Sequence, residues 1–436
     1  MRTTVFVAIL GAVACASAMP RATDEVPSAA DDLPMDEGDQ PVRIALATSV
    51  ESATVGGTGT WRIYSRNSAN LVTSGSAGGT MRIERRGTQL VAVKGDGSVT
   101  SRQTAPLLVR AITPGSFVTW NGKKYRGELI VRPYNGALLV VNRLGVESYL
   151  RGVVPLEIGG VAKPGDEAAV EAQAVAARSY SYIHMADAGD RPFDMYGSIQ
   201  DQAYGGVDAE RPNSDRAVEN TRNMVLRYAG RIINTPYSST CGGRTAEVRE
   251  VWWRRNDEPY LKSVSDQIPG TDKYYCDISG RFRWTTTFNE TQLRETLEKY
   301  LGTVQPGSEP AVAASNTSRL NLGRITGFNI TARTPHDRVA SVSIQTERGN
   351  YVVRGNDVRF ILRTPTGSLL NSTYFTAEST RGSSGTVEQL TLRGGGYGHG
   401  IGMCQFGAIG RARAGQDYRT ILTSYYQGTS VERIDS

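Results

Sequence analysis

Apolar and polar positions change rhythm along the 436-residue chain, and the changes divide it. From Val42 the apolar residues come in short alternating segments, Val42-Arg43-Ile44-Ala45-Leu46, Met81-Arg82-Ile83 and Leu90-Val91-Ala92-Val93, separated by turns rich in Gly, Ser and Asn. A period of two between such turns predicts strands, hence a small β module over residues 42–120. Glu128 to Arg132 and Ala137 to Val141 read as further strands leading into an apolar, strand-like run from Tyr149 to Ile158 that carries one acid, Glu157. Pro164, Gly165 and Asp166 then break the chain. From Ala168 to Ala177 nearly every residue is Ala or Val, with Glu171 and Gln173 the polar exceptions, which predicts a helix buried around most of its girth. Asp166 suits its N-cap and Glu167 the positive end of its dipole.

Farther on, Asp194 to Gly206 reads as a polar, aromatic loop, and Asp215 to Met224 as a helix capped by Ser214. Val225 to Tyr228 and Arg231 to Ile233 form a predicted hairpin turning at Ala229-Gly230. Trp252, Trp253, Tyr260, Tyr274, Tyr275 and Trp284 make an aromatic-dense stretch, suited either to stacking on sugar rings or to an ordinary core. Helical spacing returns at Glu290 to Leu301 and Asn356 to Leu362, with strands at Ile325 to Ile330 and Val339 to Ile344. The fold class is therefore α+β. The expected organisation is a first core segment at 121–286, an inserted α/β subdomain at 287–385, and a return to the core at 386–436 through a Gly-rich block and a helix.

Glu157 is the residue that changes the picture from fold to chemistry. Flanked by Val153, Val154, Leu156 and Ile158, and set against a packed helix, its carboxyl is expected to hold its proton above the usual range and to serve as a general acid. The plainer reading makes it a solvated loop residue.

Several blocks bear on that choice. Arg151-Gly152-Val153-Val154-Pro155-Leu156-Glu157 and Ala172-Gln173-Ala174-Val175-Ala176-Ala177-Arg178-Ser179-Tyr180 are followed by Gln202-Ala203-Tyr204-Gly205-Gly206 and Ser239-Thr240-Cys241-Gly242-Gly243. Gly398-His399-Gly400-Ile401-Gly402-Met403-Cys404-Gln405-Phe406-Gly407-Ala408 completes the series. In this order they resemble the signature of the SpoIID/LytB family of bacterial cell-wall proteins, over roughly residues 125–430. The resemblance implies a SpoIID-like core and Glu157 as its acid. It also implies Gln202, Tyr204, Ser239, Thr240, Gly242, Gly243, His399 and Gln405 as groups facing a glycan, with Arg178 structural. A glycosidase ordinarily needs two carboxylates. A lytic transglycosylase manages with one, because the sugar's own 6-hydroxyl is the nucleophile. The alternative within the family is a non-catalytic wall-binding protein that recruits or enhances an N-acetylmuramoyl-L-alanine amidase. The His-Cys pair that some members use for zinc has no counterpart, since Ile199, Gln200 and Asp201 stand there, and Leu156 and Ile158-Gly159 are further departures.

Net charge of +6 and a pI near 9.1 raise the question of nucleic acid. No Lys/Arg block or nucleic-acid-binding module supports it, and a mild positive charge suits an anionic wall polymer. Residues 1–18 read as a signal peptide ending Ala16-Ser17-Ala18, and 19–41 as a disordered acidic linker. Cys15 is an alternative lipid anchor, and no later run is long and apolar enough to span a bilayer. Export and cleavage leave Cys241, Cys276 and Cys404. Structural roles are expected for all three: a Cys241–Cys276 disulfide from their nearness in sequence, or else a three-Cys metal site completed by His399. No metal or other cofactor is assigned to the chemistry. A cysteine hydrolase pairing Cys404 with His184, His336 or His399 is a third, weaker class.

Overall fold

The computed structural model describes residues 39–65, 70–303 and 319–434. The expected leader, Cys15 and most of the expected acidic linker lie outside the described residues.

The protein is α+β. Its helices are α1 (Val146–Val154), α2 (Glu167–Ala186), α3 (Pro212–Asn220), α4 (Val248–Val251), α5 (Glu290–Tyr300), α6 (Asp357–Ile361), α7 (Gln405–Arg413) and α8 (Tyr418–Tyr425). The strands of 42–120 do not stand apart from those that follow. Pro41–Val50 pairs antiparallel with Ala137–Gly145 and parallel with Met195–Tyr196, so one sheet of seven strands runs across the boundary expected near residue 120. A second sheet of six strands packs with it, and one hydrophobic core extends from Val42 through both sheets and the helices to Val431. The stretch from Trp284 to Leu392 gathers around a separate apolar cluster that includes Phe288, Leu297, Val342 and Leu390.

The run from Tyr149 to Ile158 is not a strand. It is α1, continued by one π-helical turn at Pro155–Gly159. Almost every side of α1 is buried, leaving Ser148 and Arg151 partly open at a spacing of three. When the apolar residues go all the way round, periodicity cannot separate helix from strand, and tertiary packing decides. Helix α3 also begins earlier than its expected Ser214 cap. Pro212 occupies its first turn, where a missing N–H costs nothing, and the strand Met224–Tyr228 takes the residues assigned to its end. The hairpin is as expected, with Ala229 and Gly230 both at positive φ, 48° and 75°.

Helix α2 is the hub. Its Ala-rich surface lets α1, α3, α7, α8 and the strand Met224–Tyr228 pack against it. Asp166 stands at its N-cap position but does not cap it. Its carboxylate instead accepts two hydrogen bonds from Arg413 at the end of α7, both 2.8 Å, and one from the Lys163 N–H. Inside, Arg178 forms a two-pronged ion pair with Glu147 of α1, both N–O distances 2.7 Å, and donates to the carbonyls of Met224 and Val218. Both partners are buried, so removing one strands the other's charge. Arg178→Met or Glu147→Gln should each cost about 3–5 kcal/mol in urea denaturation. The double substitution should recover a large part of that loss, and additive losses would show the pair does not act as a unit.

Candidate functional site

Glu157 projects from the π-helical turn where α1 ends. Its Oε1 accepts the Ala203 N–H at 2.9 Å, and the Gln405 side-chain amide is its second donor. Burial pushes its pKa up from the ordinary glutamate value, while those two hydrogen bonds pull it partly back. No cation among the described residues pairs with it. The phenols of Tyr149, Tyr180 and Tyr237 lie close enough that, after the larger effect of their own burial, the Glu157 charge raises their pKa values further. The carboxyl therefore sits in an apolar and phenolic surround with donors on one side. That environment favours a carboxyl able both to hold a proton and to survive losing it.

The supporting residues act through one another. Gln202 and Tyr204 are both buried and flank Ala203. The Gln202 Oε1 accepts from the hydroxyls of Tyr149 (3.0 Å) and Ser181 (3.3 Å), and its Nε2 donates to the Ala177 carbonyl (3.2 Å). The Tyr204 hydroxyl donates to Asn142 Oδ1 at 2.8 Å. Its ring lies against Gly152, where an added Cβ would fall 2.5 Å from a ring carbon. These contacts fix the loop that aims the Ala203 N–H at Glu157. Gln405, first residue of α7, donates from Nε2 to Gln173 Oε1 of α2 at 3.2 Å, while the Gln173 Nε2 has no hydrogen-bond partner. The sequence shows Gln173 merely as a polar interruption in an apolar helix; its burial is what marks it.

The remaining expected site residues fall on adjoining segments. Tyr237–Ser238 pairs in parallel with Met403–Cys404, and Ser239 accepts the Phe406 N–H through its carbonyl, 3.0 Å, which ties that loop to α7. Thr240 is buried, bonded through its hydroxyl to Ser279 at 2.8 Å. Gly242 and Gly243, both at positive φ, line a cleft with Arg244, Tyr274 and Arg338 whose walls do not include Glu157. His399 faces the Trp252 ring at 5.2 Å and accepts the Ile401 N–H on Nδ1 at 3.0 Å. Burial, with the cations of Arg359 and Arg338, pushes its pKa down to about 3, so it is neutral. Trp252 in turn carries the Arg255 guanidinium 5.2 Å above its ring.

The three cysteines converge, and not as expected. Cys241, Cys276 and Cys404 are free thiols, with Cys241 and Cys276 Sγ atoms 3.6 Å apart. The group that joins them is Asp266, and His399 is engaged elsewhere. Burial would push the Cys404 thiol up, but hydrogen bonds from the Cys241 and Cys276 thiols hold it below the ordinary thiol range.

Residues 134–228, which include Glu157 and both flanking helices, match the family described as Stage II sporulation protein, and residues 271–402 match a domain of unknown function, DUF8618. The chain is 30% identical over 318 residues to the stage II sporulation protein D of Bacillus subtilis (strain 168), covering 70% of this chain and 79% of that protein. The chain belongs to the SpoIID/LytB family. Another SpoIID/LytB relative, the amidase enhancer of the same strain, is 29% identical over 313 residues, and the match spans 65% of this chain but 40% of that longer protein. An uncharacterized protein of Brachyspira hyodysenteriae is 30% identical over 314 residues, 72% of this chain and 73% of its own.

A carboxyl whose folded pKa is raised contributes stability that is present below its unfolded value and lost as pH rises through the folded value. Glu157→Gln should therefore melt with the wild type below the ordinary glutamate value of 4.5 and at higher temperature than the wild type well above it. Thermal melts across pH check this, and a Gln variant less stable at neutral pH would contradict it. Gln405→Met removes a donor to the carboxylate, so the Glu157 pKa should rise further, read by carboxyl NMR titration.

Proposed function

We propose that this chain is a lytic transglycosylase of peptidoglycan, cleaving the bond from N-acetylmuramic acid to N-acetylglucosamine with Glu157 as its single acid and base. The supporting observation is a half-buried carboxyl, raised in pKa and unpaired with any cation among the described residues, that two donors still reach. Glu157 gives its proton to the glycosidic oxygen as the bond to the muramic C1 breaks. The 6-hydroxyl of the same sugar then closes on C1 and returns its proton to Glu157, leaving a 1,6-anhydro ring and no net consumption of water. Between the two transfers the carboxylate is held by the Ala203 N–H and the Gln405 amide. The other carboxylates near in sequence are already engaged: Glu147 by Arg178, Glu171 by Asn220 at 2.8 Å, and Glu167 by the Gly165 N–H at 3.1 Å. A mechanism that asks for one carboxyl fits that arrangement better than one asking for two. Gln202 and Tyr204 act by positioning the loop. The protein works outside the cytoplasm, after export by its leader or tethered through Cys15.

One feature favours the second reading, in which the chain binds the wall and enhances an amidase. Leu156, next to Glu157 in the chain, and Ile199, four residues before Ala203, expose 50% and 86% of their free surface, apolar area available to a protein partner. The two readings separate on intact and peptide-stripped sacculi, with products identified by mass spectrometry. The wild type should release anhydro-muramyl fragments, Glu157→Gln should release at least about 100-fold less, and release should fall as pH rises past the raised Glu157 pKa. Absence of anhydro products, with amidase stimulation retained by Glu157→Gln, would replace the first reading by the second.

A further inference from the structure

We propose that Cys241, Cys276, Cys404 and Asp266 bind one zinc ion in a closed, four-coordinate structural site. This inference is independent of what Glu157 does. One ligand atom from each residue lies within 4.8 Å of every other, and all four residues are buried. Two of the separations are those of a coordination polyhedron. Ligand atoms at usual Zn–S and Zn–O lengths stand about 3.5–3.8 Å apart across a tetrahedron. Here the Cys241 and Cys276 Sγ atoms are 3.6 Å apart, and Cys241 Sγ is 3.8 Å from Asp266 Oδ2.

The surround is built to orient these groups. Asp266 is held by its other oxygen, which accepts the Tyr425 hydroxyl at 2.7 Å and lies 3.4 Å from Arg411 Nε, leaving Oδ2 turned toward the sulfurs. Cys404 occupies the N-cap of α7, where its Sγ accepts the Gly407 N–H at 3.3 Å and the Cys241 N–H at 3.2 Å, donors that favour a thiolate. Three thiolates and a carboxylate around Zn²⁺ leave two negative charges, and buried cations stand ready for them. Arg411 is one. Arg338 is the other, almost wholly buried, donating through Nη2 to the Cys241 carbonyl at 3.2 Å while its Nη1 has no hydrogen-bond partner. A buried guanidinium with an unmet donor and no carboxylate within ion-pair distance among the described residues is costly unless negative charge is supplied nearby. A soft, three-sulfur set selects Zn²⁺ over Mg²⁺ or Ca²⁺, and with the fourth position filled by Asp266 no site remains for a reactive water. The ion would join segments far apart in sequence, the Ser239–Gly243 loop, the 266–276 loop and the start of α7, each thiol giving up its proton on binding. Because Gln405 follows Cys404, the same clamp fixes the root of the residue that reaches Glu157.

The competing outcome is a Cys241–Cys276 disulfide beside a free Cys404. Full-length protein purified without chelator, analysed by plasma mass spectrometry, should contain about one zinc per chain, with four thiols, Cys15 and the three ligands, titrating after unfolding in chelator. Cobalt(II) added to the metal-stripped wild type should give thiolate-to-metal charge transfer and the intense d–d bands of a tetrahedral centre. This reading does not depend on variants folding. Cys404→Ser and Asp266→Asn should each lower zinc affinity about tenfold or more. Protein free of zinc with a Cys241–Cys276 disulfide in the non-reducing peptide map, or a weak octahedral cobalt spectrum without thiolate bands, overturns the proposal.

Discussion

The ion pair between Arg178 and Glu147 is the constraint on which the rest of the core depends. Charges are seldom placed inside a protein without full compensation, and here each guanidinium nitrogen and each carboxylate oxygen finds a partner from α1, α2, α3 or the strand that follows. A small-sided helix such as α2 packs closely but with little to specify its rotation, since Ala and Val look similar all round. The buried pair supplies that specification: rotating or sliding α2 against α1 would leave two unpaired charges in the interior. Once α1 is set, the turn at its end is set with it, and so is Glu157.

A carboxyl at that position gains its character from what is withheld. Ten residues upstream in α1, Glu147 is equally acidic by sequence, yet a bidentate arginine makes it a structural anion. Glu157 receives two neutral donors and phenolic neighbours instead. The difference lies in which residues other segments deliver. The π-helical turn contributes too: Pro155 has no N–H to continue the α-helical pattern, so the chain widens there, and Glu157 leaves the line of α1. Such turns carry a local cost and are retained where a side chain needs redirecting.

Much of this was legible in the residues. The Ala-rich helix, the hairpin at Ala229-Gly230, α5 and the alternating strands follow from period and turn chemistry, because in those segments local preference and tertiary packing agree. α1 was not legible as a helix, since Val-rich apolar runs fit either element and burial alone chose. The boundary expected near residue 120 marks a change in composition, but Pro41–Val50 crosses it by pairing with a strand ninety-odd residues later, information carried by no local pattern. At the site, Glu157 stood out by being the lone acid in an apolar run. Gln173 and Asp266 did not, because a polar residue on an Ala-rich helix and an Asp between Ser265 and Gln267 look ordinary until the fold brings partners to them.

The position of Gln405 shows why the C-terminal block matters to an acid more than two hundred residues before it. Its amide stands between Gln173 of α2 and Glu157, so it reads the relative placement of α2, α1 and α7 in one contact. Two independent ties hold α7 in register for that purpose: Arg413 on Asp166 at one end, and Cys404 among the sulfurs at the other. An amide is well suited to the place. It donates to the carboxylate and lowers the cost of ionisation without adding a positive charge, which would hold Glu157 deprotonated. An arginine or lysine there would give a stronger bond and a poorer acid. The surrounding fold therefore places Arg178, Arg338, Arg411 and Arg413 in contacts of their own and, among the described residues, keeps these cations off this carboxyl.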